Sequence, residues 1–191
     1  MVNVAIFVSG SGTNCENIIN HFKGSKVVNI ALVLSNRDDA YALVRAKKLN
    51  VPTLVIPRDA FKMHNDLMSV MQHYRIDFIV LAGFLLMVPE FLIKAYPQKI
   101  VNIHPALLPK YGGKGMYGHY IHEAVKAAGE SETGITIHYV SEKCDDGEMI
   151  FQAKTSLSVS DTPDDIAAKI HLLEQKYYPE IIEKVIKERF K

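Results

Sequence analysis

The chain has 191 residues, of which 48% are hydrophobic and 23% charged, the ordinary balance of a globular protein long enough for one domain with a complete core. Its formal net charge of +1 argues against nucleic acid as the main partner, because binding the phosphate backbone needs clustered lysine and arginine side chains. The two cysteines, Cys15 and Cys144, have neither metal-ligand nor redox spacing, and this fits a reducing cytosol.

The first hundred residues alternate between predicted strands and predicted helices. The opening run, 2–8, is almost entirely apolar, as in a strand buried on both faces, and it lacks the basic region of a signal peptide. The longest apolar run, 78–88, is about half as long as a membrane span, so no membrane partner is expected. The alternation predicts an α/β fold with a doubly wound, mostly parallel sheet flanked by helices. The predicted strands are 2–8, 27–34, 53–56, 77–82 and 99–103, and the predicted helices are 14–22, 40–49, 61–74 and 89–95.

The second half of the chain has a different pattern. Residues 110–118 are rich in glycine and predict a mobile loop, and residues 119–128 predict a helix. Two strands are predicted at 134–140 and 148–156, and the short segment between them favours an antiparallel pair. Residues 165–189 predict one or two helices. We therefore expect one continuous sheet in a single domain over residues 1–191, with the ligand crevice where the two halves meet.

A glycine-rich turn, Gly10-Ser11-Gly12-Thr13-Asn14, follows the first strand and begins the first helix. Glycine lets the backbone approach a ligand, and free amide groups at a helix N-terminus attract phosphate. The dinucleotide fingerprint needs a glycine at position 15, where this chain has Cys15, so a single phosphate fits better than a pyrophosphate. This mismatch also argues against a dehydrogenase, and Ser35-Asn36 stand where an acidic ribose partner is expected. A tight turn without any ligand is the alternative.

The fifth predicted strand ends in Asn102-Ile103-His104-Pro105. Proline has no amide hydrogen, so it stops the strand and leaves Asn102 near the end and His104 just beyond it. In open α/β sheets this edge is where ligands bind. An amide that donates to a carbonyl oxygen, beside an imidazole that titrates near neutrality, suits chemistry on an acyl or formyl carbon. Taken alone, the motif more often marks a strand end with a satisfied surface histidine.

Two further segments bear on the same edge. The apolar residues after Gly83 are suited to a flat, partly apolar ligand, although core packing explains this segment better when it is taken alone. Asp145 and Asp146 lie in a predicted hairpin, where Asp-Gly is ordinary turn chemistry. One of these carboxylates beside His104 would favour the imidazolium. Cys144 next to them is expected to be an unreactive structural thiol.

The other histidines give weaker signals. His138 alternates with apolar residues on its predicted strand and either borders the site or is exposed. His119, His122 and His138 have no compact ligand spacing, so no metal site is predicted. The rest are expected on helix faces: His21, His64, His73 and His171.

Together these segments resemble the phosphoribosylglycinamide formyltransferase family over essentially the full length. The segments that carry the resemblance are Ser9–Asn14, Leu81–Phe84, Asn102–Pro105, Leu107–Tyr111, Gly134–His138, and Asp145 with Gly147. The resemblance implies a Rossmann-like formyltransferase fold and transfer of a formyl group from 10-formyltetrahydrofolate to the amine of 5-phosphoribosylglycinamide in purine (IMP) biosynthesis. It also implies a cytoplasmic enzyme that acts on small molecules alone, as a monomer or weak homodimer.

The resemblance also implies roles for particular residues. The catalytic residues of the family match Asn102, His104 and Asp145, with His138 as a candidate behind them. The residues that would bind the ribonucleotide are Gly12, Thr13, Asn14 and Glu174, and those that would contact folate are Leu85, Leu86, Met87 and Val88. A basic residue that helps to hold folate has no clear arginine counterpart here, and the candidates are Lys62, His64 and Arg58, with Lys62 placed first. Residues 1–100 would then be the mononucleotide-binding half, and 101–191 the catalytic and folate-binding half.

Other functions remain as alternatives. A formyltetrahydrofolate hydrolase uses water as acceptor and usually carries an extra N-terminal domain, and a methionyl-tRNA formyltransferase usually carries a C-terminal RNA-binding domain. We expect neither, because the chain length leaves room for neither addition. A nucleotide-binding regulatory module is the non-enzymatic alternative, and it would leave Asn102, His104 and Asp145 without a role.

Overall fold

The computed structural model describes residues 1–190, so the last residue of the predicted domain lies outside the described residues. The strands are β1 (Val2–Val8), β2 (Val28–Ser35), β3 (Thr53–Val55), β4 (Phe78–Leu81), β5 (Ile100–His104), β6 (Glu132–Tyr139) and β7 (Met149–Ser156). The helices are α1 (Thr13–His21), α2 (Tyr41–Lys48), α3 (Arg58–Phe61), α4 (His64–His73), α5 (Glu90–Ala95), α6 (His119–Ala127) and α7 (Pro163–Arg189).

Within residues 1–190, seven strands form one sheet in the order β3-β2-β1-β4-β5-β6-β7. The strands β1 to β5 are parallel to one another, and β6 runs antiparallel to both β5 and β7. The predicted doubly wound, mostly parallel sheet with an antiparallel pair in the second half is therefore confirmed. A hairpin joins β6 to β7 and makes this pair antiparallel, whereas parallel neighbours need a longer crossover.

Two layers of apolar side chains cover the sheet. Along β1, Val4 and Ile6 face a core shared with α1, α2, α6 and α7, and Ala5 and Phe7 face a core shared with α3, α4 and α5. Successive strand residues point to opposite faces, so a strand buried on both faces must be apolar throughout. This is why the continuous apolar run at the N-terminus predicts the strand correctly.

The predicted helix 61–74 is wrong in one respect, because two helices occupy the region. Met63, between α3 and α4, has an extended backbone (φ −83°, ψ 114°). Phe61 at the end of α3 is buried against Phe7 and Phe84, with ring centroids 5.8 and 5.1 Å apart. The sequence pattern places Phe61 in the longer helix because it continues the apolar spacing, whereas its aromatic contacts hold it in α3.

The C-terminal segment forms one continuous helix of 27 residues. It begins with a capping box, in which the side chains of Thr162 and Asp165 each accept a hydrogen bond from the other's backbone amide. Pro179 lies inside this helix and cannot donate to the carbonyl of Gln175, one turn earlier. That carbonyl instead accepts a hydrogen bond from Asn17 Nδ2 of α1, at 2.7 Å. The interior proline is tolerated because a neighbouring helix supplies the missing donor.

The strand ends that form the ligand edge are tied to α7. The hydroxyl of Tyr178, which is fully buried, donates to the carbonyl of Leu81 at 2.8 Å and lies 3.3 Å from that of Val101. These carbonyls belong to β4 and β5, so one side chain fixes both strands against the helix. No helix within residues 1–190 combines the length and the apolar character needed to cross a membrane.

Candidate functional site

A cavity of about 820 Å³ opens at the carboxyl edge of the parallel strands. Open α/β sheets bind ligands at this edge. The face of α7 that carries Glu174 forms one wall. The other walls are the segments 10–14, 81–88, 102–105, 113–118 and 143–145. The structure thus brings the predicted site segments from both halves of the chain into one cavity.

Asn102, His104 and Asp145 lie together in this cavity. Asn102 and His104 are on β5, and Asp145 lies in the hairpin between β6 and β7. Asp145 Oδ2 is 3.5 Å from His104 Nδ1, and the two side chains are only 9% and 4% exposed. A buried carboxylate this close to an imidazole can orient the ring and exchange a proton with it.

His138 is buried beside these three residues and is paired with Asn102 across the ladder between β5 and β6. Its Nδ1 donates to the carbonyl of Tyr139 at 2.9 Å, so Nε2 is the acceptor for the amide of Asn102, at 3.2 Å. Burial lowers the pKa of His138, which keeps the ring neutral at pH 7. The neutral ring therefore orients the Asn102 amide, whose second hydrogen is available to a ligand.

The ring of His104 is held in one tautomer by its backbone partner. Its Nε2 lies 2.8 Å from the carbonyl of Tyr111, and because a carbonyl only accepts, this nitrogen carries the hydrogen. Nδ1 then faces Asp145 Oδ2. The same carboxylate oxygen accepts a hydrogen bond from the backbone amide of Gly113 at 3.0 Å and one from the Cys144 thiol at 3.5 Å. Asp145 is therefore held as an acceptor by donors on two sides.

The hairpin that carries Asp145 depends on a glycine. Asp145 has a left-handed backbone (φ +54°), and a Cβ on Gly147 would lie 1.6 Å from the carbonyl oxygen of Tyr139. Only glycine allows this close approach to β6. The Asp-Asp-Gly sequence, which by itself predicts an ordinary hairpin, thus places a carboxylate over the end of β5.

The glycine loop forms the opposite end of the cavity. Gly12 has a left-handed backbone (φ +77°) and packs so closely on α2 that a Cβ would lie 2.4 Å from Ala42 Cβ. Thr13 and Asn14 then begin α1, and amides at such an N-terminus are suited to an anion. Asn14 Nδ2 donates to Glu174 Oε2 at 3.0 Å. The Glu174 carboxylate would repel a phosphate, so it suits neutral hydroxyl groups next to one.

The apolar loop after β4 forms a third wall. Phe84 is packed against Phe7 and Phe61, whereas Leu85 and Met87 are 55% and 57% exposed although they line the cavity. Leu86 and Val88 also line it and are more buried. Exposed apolar side chains beside an open cavity are typical of a surface that a partly apolar ligand covers.

The three basic candidates are placed differently. Arg58, at the start of α3, lines the cavity. Lys62 ends α3 with an exposed side chain, and His64 packs against Phe91 with ring centroids 4.8 Å apart. Neither lines the cavity in the described part of the chain. Of the three, Arg58 is therefore the candidate placed closest to a ligand in the cavity, and the role of Lys62 stays a prediction.

Cys144 is exposed as a whole residue, but its thiol is partly buried. This burial, together with the neighbouring Asp145, raises the pKa of the thiol to about 11. The thiol is therefore protonated at neutral pH. Among residues 1–190, no three histidine, cysteine, aspartate or glutamate side chains are grouped so that they could hold a metal ion.

The comparison with known proteins agrees with this geometry. A profile of the family described as formyl transferase matches residues 2–182. The chain belongs to the formyl transferase family. Phosphoribosylglycinamide formyltransferase of Haemophilus influenzae is 36% identical over 187 residues, which cover 95% of this chain and 86% of that protein. Glycinamide ribonucleotide transformylase 1 from Symbiobacterium toebii superposes with a TM-score of 0.89 at 31% identity, over 99% of this chain and 89% of that one.

Plant relatives of this formyl transferase are longer. The chloroplastic phosphoribosylglycinamide formyltransferase of Arabidopsis thaliana is 36% identical over 194 residues, which cover 98% of this chain but 66% of that protein. The chain spans 61% of the corresponding protein of Vigna unguiculata. The resemblance predicted from the motifs is confirmed at the level of the family.

Two histidines of this formyl transferase, His122 and His171, line the cavity although the sequence analysis gave them no role in the site. His171 Nδ1 lies 3.4 Å from Glu174 Oε2, and this hydrogen bond raises the pKa of His171. The spacing of three residues on one helix face was the available signal. His122 of α6 is buried, which lowers its pKa, and nothing in the sequence distinguishes it from a core histidine.

Proposed function

We propose that this chain is a phosphoribosylglycinamide formyltransferase, which transfers the formyl group of 10-formyltetrahydrofolate to the amine of 5-phosphoribosylglycinamide. The observation that carries the proposal is the buried contact of His104 with Asp145, beside Asn102, in a cavity between the glycine-rich loop that begins α1 and an apolar loop. A reaction that joins a phosphorylated amine to a flat carrier needs both kinds of surface around one catalytic centre.

The two substrates are assigned to opposite ends of the cavity. The phosphate would bind the amides of Gly12, Thr13 and Asn14, and the ribose hydroxyls would reach Glu174. The pteridine ring would lie against Leu85–Val88. Arg58 would contact the acidic tail of the folate, because it is the basic candidate that lines the cavity.

In the proposed mechanism, the amine of the ribonucleotide attacks the formyl carbon and negative charge develops on the formyl oxygen. Asn102 donates a hydrogen bond to this oxygen, and His104 would stabilise the same charge as its ring takes up a second proton at Nδ1, beside Asp145. One hydrogen-bond donor to a developing oxyanion, in a site that excludes water, typically contributes about 3–4 kcal/mol, or roughly 10²–10³ in rate. The exposed fractions of 4% and 9% at His104 and Asp145 support a site with little water.

Asp145 would move the proton that the reaction displaces. The attacking nitrogen loses a proton as the new C–N bond forms, and the folate nitrogen gains one as the old C–N bond breaks. Asp145, directly or through a water molecule, would accept the first proton and return it to the leaving nitrogen. General acid–base help of this kind contributes about 10²–10⁴ in rate. No metal ion or covalent enzyme intermediate takes part in this scheme.

The setting of the reaction is also part of the proposal. We place the protein in the cytoplasm, with small molecules as its partners, no nucleic acid or membrane partner, and a monomeric or weakly dimeric state. The near-zero net charge supports the absence of a nucleic-acid partner, since it supplies no broad basic face.

The test is to incubate the protein with 10-formyltetrahydrofolate, with and without 5-phosphoribosylglycinamide, and to follow both compounds by mass spectrometry. We expect the donor to be consumed only with the ribonucleotide present, with one formylated product per donor. Consumption without the acceptor would instead indicate a formyltetrahydrofolate hydrolase. Binding of the ribonucleotide without turnover would favour a regulatory module.

A further inference from the structure

The start of the glycine-rich loop contacts both ionisable catalytic candidates through its backbone. The carbonyl of Tyr111 accepts the hydrogen of His104 Nε2 at 2.8 Å, and the amide of Gly113 donates to Asp145 Oδ2 at 3.0 Å. Gly112 lies between them, and a Cβ there would lie 2.5 Å from Leu108 Cδ2 and 3.4 Å from Asp145 Cβ. These three loop residues therefore pack directly against His104 and Asp145, and Gly113 also lines the cavity.

The conformation of this loop segment needs support. Tyr111 has a left-handed backbone (φ +57°), which a bulky residue adopts only when its surroundings hold it there. The support comes from its side chain, because the Tyr111 hydroxyl donates to Glu130 Oε1 at 2.8 Å. Lys110 Nζ binds the same carboxylate oxygen at 2.9 Å. Glu130, just beyond α6, is thus the anchor.

Protonation states favour this anchor at neutral pH. Partial burial, together with Glu130, raises the pKa of Tyr111, so the phenol keeps the hydrogen that it donates. The hydrogen bonds from Lys110 and Tyr111 lower the pKa of Glu130, so it remains an acceptor. A second cavity of about 280 Å³, lined in part by Tyr111, Glu130 and Thr133, adjoins the ring. The ring packs against the core and borders this cavity, so the hydroxyl bond adds to the packing that holds the ring in place.

We propose that Tyr111 is a positioning residue whose hydroxyl bond to Glu130 holds the loop backbone on His104 and Asp145 and thereby keeps His104 Nδ1 directed at the carboxylate. The role in catalysis rests on the proposed formyl transfer. Without the anchor, His104 loses the acceptor that fixes its tautomer, and Asp145 loses the donor from Gly113.

The test compares Tyr111→Phe, which removes only the hydroxyl, with Tyr120→Phe as a matched control. Tyr120 is 59% exposed on α6, does not line the large cavity, and its hydroxyl makes no hydrogen bond within the described residues. We expect Tyr111→Phe to lower kcat by about tenfold, as expected for loss of one hydrogen bond, while both KM values stay within about twofold. Tyr120→Phe is expected to match the wild type.

Variants of the anchor extend the test. Glu130→Gln keeps an acceptor for the phenol and is expected to retain most of kcat, whereas Glu130→Ala is expected to behave like Tyr111→Phe. If Tyr111→Phe does not fold, the comparison of Glu130→Gln with Glu130→Ala still tests the proposal. An unchanged kcat in both Tyr111→Phe and Glu130→Ala, or a change in KM alone, would overturn the proposal.

A measurement without substrates separates this inference from the proposed reaction. In protein with ¹⁵N-labelled histidine, the nitrogen shifts and couplings of the His104 ring report which nitrogen carries the hydrogen. We expect an Nε2-bound hydrogen in the wild type and mixed tautomers in Tyr111→Phe. The same tautomer in both proteins would refute the positioning role, whereas a wild type without transferase activity would refute only the proposed function.

Discussion

The substitution Asp145→Asn tests the proton relay most directly. The amide has the shape of the carboxylate and still offers an oxygen to the amide of Gly113, so the hairpin is expected to keep its conformation. The negative charge that faces His104 at 3.5 Å is lost, and with it the group that accepts the amine's proton. We therefore expect the fold to survive while the reaction loses the carboxylate that accepts the proton.

The expected loss follows from that geometry. General acid–base catalysis contributes about 10²–10⁴, or about 3–5 kcal/mol at 1.36 kcal/mol per factor of ten. Because the side chain is buried and has no nearby carboxylate of matching placement within residues 1–190, we expect the full effect on kcat. Both KM values should change little, since the proposed substrate contacts lie at the two ends of the cavity.

The assay is steady-state transfer with each substrate varied in turn, together with thermal unfolding followed by circular dichroism. We expect kcat to fall at least 100-fold, with a Tm within a few degrees of the wild type. Asp146→Asn in the same turn is the matched control, because its side chain is exposed and pairs only with Lys143 in the described structure. A kcat of Asp145→Asn within tenfold of the wild type, with an intact fold, would remove Asp145 from the mechanism.

Four other outcomes are expected. Asn14→Ala should raise KM for the ribonucleotide several-fold, and a change in folate KM alone in steady-state assays would contradict the assignment of the glycine loop. Arg58→Ala should raise KM for the folate about tenfold while Lys62→Ala does not, since loss of one charge-assisted hydrogen bond is worth about 1.5–3 kcal/mol. Tyr178→Phe should lower the free energy of unfolding by about 1–3 kcal/mol in urea titrations, because buried carbonyls lose their donor. Burial lowers the pKa of His122 in the folded state, so its contribution to stability is full above the unfolded pKa of about 6.5 and declines as the pH falls below it. His122→Gln should therefore show a flatter loss of stability between pH 7 and 5, and an unchanged slope would refute this assignment.

Most of the parallel sheet could be predicted because strands buried on both faces are short apolar runs separated by turn residues. The boundary between α3 and α4 could not, since Phe61 continues the helical spacing of the next segment although its ring is fixed by Phe7 and Phe84. Pro179 gave no sign of lying within a continuous helix, because the donor that makes it tolerable is Asn17, more than 150 residues away in sequence. Tertiary contacts decided both cases.

Part of the candidate site could likewise be predicted from the sequence, and part of it could not. Asn102 and His104 follow from the strand-ending proline, a local signal. The placement of a hairpin carboxylate beside His104 depends on how β6 and β7 fold back, and only the family resemblance selected Asp145 over Asp146. The contributions of Tyr111 and Gly113 could not be predicted from residue types, because main-chain carbonyl and amide groups are the same at nearly every position.

The hydrogen bond from Asn17 to the carbonyl of Gln175, which Pro179 leaves without a donor in the helix, has a consequence for ligand design. It joins α1 to α7 at the residue next to Glu174, so the end of the cavity that we assign to the ribose is held in place before any molecule binds. On the apolar wall, the backbone amide of Leu85 donates to Ser9 Oγ at 2.9 Å, but the side chains of Leu85 and Met87 project into solvent. An inhibitor that spans both ends should therefore gain most from a rigid sugar-like head matched to fixed partners, and should tolerate broad variation in its aromatic tail.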